Sequence, residues 1–205
     1  MNNSAIIRDV GLTIANVLNL GLKAHKTKAN VHIAPPQHAH FEKRVPAVGV
    51  SLLGFETTRF SGAGRPPEKV EQEQKPDGSI SEFYVDPPLQ MTLEYLVTAW
   101  AKEFEEEAAL LGTAMKILLE CPQFDKTNIV GDSFAPEDRL QLLAELNLSM
   151  ERRMALFQAF GEPMRAASLY SVPVVLMSER RSPEIRRVIT RHVGVVDNQT
   201  GRRLR

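Results

Sequence analysis

Hydrophobic and polar residues alternate through most of residues 90 to 101, and the period then changes within four positions. Met91, Leu93, Tyr95, Val97 and Ala99 point one way, while Gln90, Thr92, Glu94 and Thr98 point the other, where Leu96 and Trp100 interrupt the polar series. A period of two with one apolar face and a half-covered second face predicts a buried strand. From Phe104 the apolar positions Phe104, Ala108, Leu111, Met115 and Leu118 take up the spacing of one helical stripe, predicting a helix over 104–120. Glu103, Glu105, Glu106 and Glu107 stand where a helix dipole favours negative charge, which is reason enough for the acidic cluster.

The same patterns organise the rest of the chain. Ile6, Val10, Ile14, Val17 and Leu18 recur at helical spacing after candidate caps at Asn3 or Ser4. "NVHIAPPQ" predicts a short strand stopped by Pro35 and Pro36, and Val48 to Glu56 predicts an interior strand, apolar on both faces. Residues 57 to 79 are polar and rich in Gly, Pro, Glu and Gln, so they read as a flexible insertion and not a folded element. "ISEFYVDPP" predicts a strand ended by Pro87 and Pro88. "PQFDKTNIVGDSFAPEDR" reads as loop, "LQLLAELNL" as strand or short helix, and "SMERRMALFQAF" as a helix with a Ser149 hydroxyl cap, closed by Gly161. A strand over "RAASLYSVPVVLMSE" follows; Pro173 within it marks a sheet edge or a bulge. "EIRRVITRHVGVVDN" reads as a last strand before a basic tail, 197–205.

Length and composition bound these readings. A chain of 205 residues with 43% hydrophobic and 24% charged residues fits one well-buried core. The first 26 residues lack a basic start, Arg8 and Asp9 interrupt their apolar run, and no small-residue cleavage site follows. No stretch approaches the roughly 18–20 apolar residues of a membrane span, so the chain is expected to be made and folded in the cytosol. Cys121 is the single cysteine, which rules out an intrachain disulfide and reads as a small semi-buried residue. Formal net charge is zero but unevenly spread: residues 151–205 carry eleven Lys or Arg against five Asp or Glu, residues 1–150 fourteen against twenty. Unlike patches of this kind suit head-to-tail association, as in rings.

Candidate chemistry is sparse. Of the five histidines, His38 and His40 share a short spacing, yet "QHAH" follows two prolines, reads as loop, and has no acidic or thiol partner to complete a metal shell. There is no GxSxG, and "SGAGRPP" lacks the Lys-Ser/Thr ending of a phosphate loop. No cofactor or metal is expected, and the chain reads as a non-enzyme. Arg180, Arg181, Arg186, Arg187 and Arg191 could track phosphates, so a small nucleic-acid-binding or adaptor protein stands as the alternative. Those arginines interleave with no aromatics and belong to a neutral chain, which disfavours it.

Two blocks carry a family resemblance. "PPLQMTLEYLVTAWAKEFEEEAALLGTAMKILLECPQF", with Tyr95, Thr98, Trp100, Leu111 and Gly112, resembles the cap, or tail-terminator, family of bacterial extracellular contractile injection systems. "MALFQAFGEPMRAASLYSVPVVLMSE", with Arg165 and Tyr170, is similar to the same family. The resemblance implies a single α/β (α+β) domain over 1–205, a mixed central sheet packed by helices, similar to contractile-phage terminators. It further implies a structural ring, most simply a homohexamer, that ends polymerisation of inner tube and sheath and anchors the last sheath ring. On this reading Arg180, Arg181, Arg186, Arg187, Arg191, Arg202 and Arg203 are the interface candidates, and residues 185–205 dock on the sheath or a neighbouring cap subunit.

Overall fold

The structure, a computed structural model, describes residues 3–57, 69–76, 78, 80–85, 88–145, 149–177, 182, 195–196 and 203–204. In chain order the elements are α1 (Ile6–Ala24), β1 (Asn30–Ile33), α2 (His38–Phe41), β2 (Ala47–Thr57), β3 (Lys69–Gln74), β4 (Ile80–Val85), β5 (Leu89–Trp100) and α3 (Phe104–Glu120). There follow β6 (Gln123–Phe124), β7 (Leu140–Gln141), β8 (Leu143–Ala144), α4 (Met150–Ala159), β9 (Ala167–Leu176), β10 (Val195–Val196) and β11 (Arg203–Leu204). They fall into two compact units, Met1–Gly64 with Pro88–Ser178, and Arg65–Pro87 with Glu179–Arg205.

The larger unit is the expected mixed α/β domain. Its five-stranded sheet runs β1-β2-β5-β9-β8, with β1 parallel to β2 and the other pairs antiparallel. Alternation along β5 sorts the core. Met91, Leu93, Tyr95, Val97 and Ala99 join Ile6, Val10, Ile14, Val17 and Leu18 of α1 and the apolar side of α3 in one buried cluster. On the opposite face Leu96 packs with Phe157 of α4 and Leu169, and Trp100 packs with Phe41 of α2 and Ala47. Helices therefore cover both faces of the central strand.

Several expectations shift in detail. Asn3 does not cap α1, whose N-cap is Ala5 without a side-chain bond. The Asn3 amide instead donates to the Val175 carbonyl at 2.9 Å and accepts from the Met177 N–H at 3.0 Å, taking the place of a strand beside β9. Interior burial of β2 holds only from Ala47 to Ser51; past the bulge at Leu52/Gly54 its side chains are exposed or half-buried. In α3 the period was right, and Leu111 and Leu118 are buried as expected, but the buried arc is centred differently. The buried positions are Leu110, Leu111, Ala114, Ile117 and Leu118, while Phe104 is 79% and Met115 44% exposed. The helix is apolar over a wide arc, and its facing is set by α1, where Gly21 lets Ile117 approach the backbone closely. "QHAH" is a helical turn, α2, held by Gln37 Nε2 donating to Phe160 O and His38 N–H donating to Glu162 Oε1. The predicted loop 122–139 opens with β6, which pairs with β7 just beyond the loop, and "LQLLA" resolves into the strands β7 and β8. Pro173 sits beyond the two residues of β9 that β8 covers, at a sheet edge as its missing N–H requires.

The second unit corrects the reading of 57–79 as unfolded. Residues 69–74 are a strand, paired antiparallel with β4 from Lys69↔Val85 to Gln74↔Ile80. The strand has one apolar residue, Val70, so hydrophobic periodicity was silent there. Pairing and turn chemistry carry it. Gly78 takes φ +83°, and its N–H donates to Lys75 O at 2.9 Å, closing the hairpin; the sequence signal was "KPDG". Residues 58–68 lie outside the described residues. So does most of the predicted C-terminal strand and tail, apart from β10 and β11, which pair antiparallel.

A buried carboxylate ties the loop after β6 to α1. Asp9 is fully buried; Ser133 Oγ donates to its Oδ2 at 2.6 Å and Arg8 Nε to its Oδ1 at 2.7 Å. Thr13 Oγ1 accepts from the Val130 N–H, and Asn16 Nδ2 donates to Asn128 O. Gly131, at φ +103°, leaves no room for a Cβ against the Asp9 carboxylate. Burial alone would raise the Asp9 pKa; the hydrogen bonds from Ser133 and Arg8 outweigh it and hold the group below the usual carboxylate range.

Two stability predictions follow from this packing. Gly21→Ala forces a methyl into Ile117 and should cost about 1–3 kcal/mol, read as a lower urea midpoint. Because folded Asp9 has a pKa below its unfolded value near 3.8, its contribution is complete above that pH and fades as pH falls through the folded pKa. Asp9→Asn should therefore lower stability by about 1–3 kcal/mol at neutral pH. The gap from wild type should shrink as the urea midpoint is followed into acid.

Candidate functional site

The loop leading into β9 and the end of β5 meet at a stacked column. The Phe41 and Trp100 rings are stacked at 4.5 Å with 5° between planes, and the Arg165 guanidinium carbon lies 4.3 Å from the Trp100 ring centroid. Arg165 Nη1 donates to Glu107 Oε2 at 2.7 Å, with both side chains mostly buried. Below the column Trp100 Nε1 donates to Thr98 Oγ1 at 2.9 Å. Gly49 faces this spot, and a Cβ there would run into Thr98 and Phe41. The acidic first turn of α3 thus does more than meet the helix dipole, because Glu107 fixes the guanidinium that covers Trp100.

The motif residues divide between three places. Thr98, Trp100 and Arg165 build the column. Tyr95 and Leu111 are core; burial pushes the Tyr95 phenol far up, and its hydroxyl donates to Ile7 O at 2.9 Å. Gly112 and Tyr170 line an open cleft of about 700 Å³ between the C-terminal half of α3 and the β8–β9 side of the sheet. Met115, Leu119, Pro122, Leu142 and Leu169 make its apolar lining, with Lys116, Glu145 and Arg153 the charged residues among them. Arg153 Nε is buried there without a hydrogen-bond partner. Sequence reasoning missed this cleft because a helical period does not say which arc of α3 stays open.

Of the interface arginines, Arg180, Arg181, Arg186, Arg187, Arg191 and Arg202 lie outside the described residues, and Arg203 is placed only through its backbone pairing with Val196. His38 stands 6.1 Å from the Trp100 ring, and burial together with Arg44 pushes the His32 pKa down. Among the described residues no three His, Cys, Asp or Glu side chains gather as metal ligands. No described helix is long and apolar enough to cross a membrane. Burial and Asp125 push the Cys121 thiol up, so it is poorly suited to act as a nucleophile.

The motif side chains are thus committed mostly to packing, and two of them line an open apolar cleft. The chain belongs to the Pvc16 N-terminal domain family, whose model matches residues 9–191. Its fold is similar to the sheath/tube terminator of an extracellular contractile injection system, PVC, in the extended state, solved by cryo-EM: TM-score 0.59, 12% identity, 90% of this chain and 62% of that one. It is also similar to the tube-terminating cap of the anti-feeding prophage: TM-score 0.57, 14% identity, 88% of this chain and 59% of that one. The chain therefore spans about six-tenths of the length of these structural relatives. No curated protein matches the sequence.

Arg165→Ala should cost about 2 kcal/mol by stranding Glu107 and uncovering Trp100. Arg165→Lys should recover less than half of that, since a lysine keeps the charge but not the planar stack. Denaturant titration monitored by Trp100 fluorescence, from the single tryptophan, reads both.

Proposed function

We propose that this chain caps the tube and sheath of an extracellular contractile injection system. The observation that carries the reading is a fold shared across nine-tenths of the chain with a sheath/tube terminator, inside a family to which the chain belongs. A helical tube grows because each added ring presents the surface that receives the next. A terminator binds that surface and presents a different one, so growth stops without any bond being made or broken. The role is structural and non-enzymatic. It needs a rigid ring, here a homohexamer, matched to the tube on one side and to the last sheath ring at its rim. The opposite charge excesses of residues 1–150 and 151–205 favour head-to-tail neighbours in such a ring.

Deleting the gene from a particle-producing operon tests the proposal. The expected result, by electron microscopy, is tubes of uncontrolled length or without attached sheath, restored by the full chain in trans. Particles of normal, uniform length with a closed end in the deletion strain would overturn it.

A further inference from the structure

The cleft beside α3 is more apolar than a solvent-facing surface needs to be, and it holds a guanidinium nitrogen with no partner. An occupant that suits it carries an apolar anchor with carboxylates beside it. The same molecule exposes such a feature. Phe104, at the first turn of α3, is 79% exposed and is flanked by Glu103, Glu105 and Glu106, all exposed. It cannot reach its own cleft. Phe104 and Met115 are eleven residues apart on one helix, about 16 Å along its axis.

We propose that the Phe104 corner of one copy docks in the α3/β8–β9 cleft of the next, which deepens the ring reading and rests on it. The aromatic ring fills the apolar space between Met115, Leu119 and Leu169. The flanking glutamates face the positive charges of Lys116 and the Arg153 guanidinium, while Glu145 on the same lining sets against them a repulsion that selects register. Anchor and cleft are different patches of one surface, so the contact is heterologous and repeats from copy to copy. A buried aromatic anchor within a polar rim is the usual anatomy of a specific interface.

The experiment uses the full chain in two variants at exposed positions, Phe104→Ser, which removes the anchor, and Met115→Glu, which places an acid in the cleft. Circular dichroism confirms that each folds. By sedimentation and mass photometry the wild type should self-associate, more weakly at high salt, and each variant should do so at least about tenfold more weakly. Mixing the two variants is decisive. One intact anchor and one intact cleft remain, so a 1:1 dimer should form and grow no further. A wild-type chain that stays monomeric throughout overturns the proposal, as do variants that associate normally or a mixture that stays monomeric. If the cleft variant self-associates but loses binding to tube ends, the occupant is a tube or sheath subunit and this proposal fails while the capping role stands. If the operon deletion leaves tubes uniform while the variants still behave as expected, the capping role fails and the contact stands.

Discussion

Every residue of β5 from Tyr95 to Trp100 is buried, so both faces of one strand must be satisfied at once. A strand covered on one side can slip by a residue and trade its faces only at the cost of that one core. Here a slip would drive Leu96 and Trp100 into the α1–α3 core and bring Tyr95 and Val97 out under α2 and α4. The register β2-β5-β9 is fixed by this double requirement. The two helices packed on the β5 core face and the two on its other face are positioned by it in turn.

Polar groups that tolerate little change secure the elements around that strand. At the Trp100 end, Arg165 and Glu107 join the loop before β9 to the first turn of α3. On the other side of the core, Asp9, Ser133 and Arg8 hold the loop after β6 against α1. Both are charge-assisted and short, and their carboxylates, Glu107 and Asp9, are shielded from solvent, which makes them stiff as well as stabilising. Asn3 performs a quieter task, closing part of the β9 edge that would otherwise offer unpaired backbone groups to another strand.

Legibility in the sequence followed the physics of each element. β5 and α3 were readable to within a residue because their apolar periods are long and end at clear signals. The phase of α3 was only partly readable, since Phe104, Ala108 and Met115 extend Leu111 and Leu118 into as good a stripe as Leu110, Ala114 and Ile117 do. Only the partner helix decides between them. β3 was missed because a polar strand on a hairpin leaves no hydrophobic trace, although "KPDG" announced the turn. Of the site, Trp100 and Arg165 were legible as motif members without their contact, which joins residues 65 apart in sequence. The cleft was illegible altogether, being a surface left over once the packing is complete.

A ring imposes a demand that a monomeric scaffold does not. When one patch of each copy meets a different patch of the next, the angle between successive copies decides whether the chain of contacts closes or runs on as a filament. On the capping proposal that angle must be constant, so the anchor and the cleft have to be held in a fixed relation within each subunit. Placing both on one helix achieves this: Phe104 and Met115 share the rigid axis of α3. That axis is pinned near its start by Glu107 to Arg165 and along its length by Ile117 against Gly21. On that proposal the regularity of the strand-to-helix passage 90–122 serves the angle between successive copies.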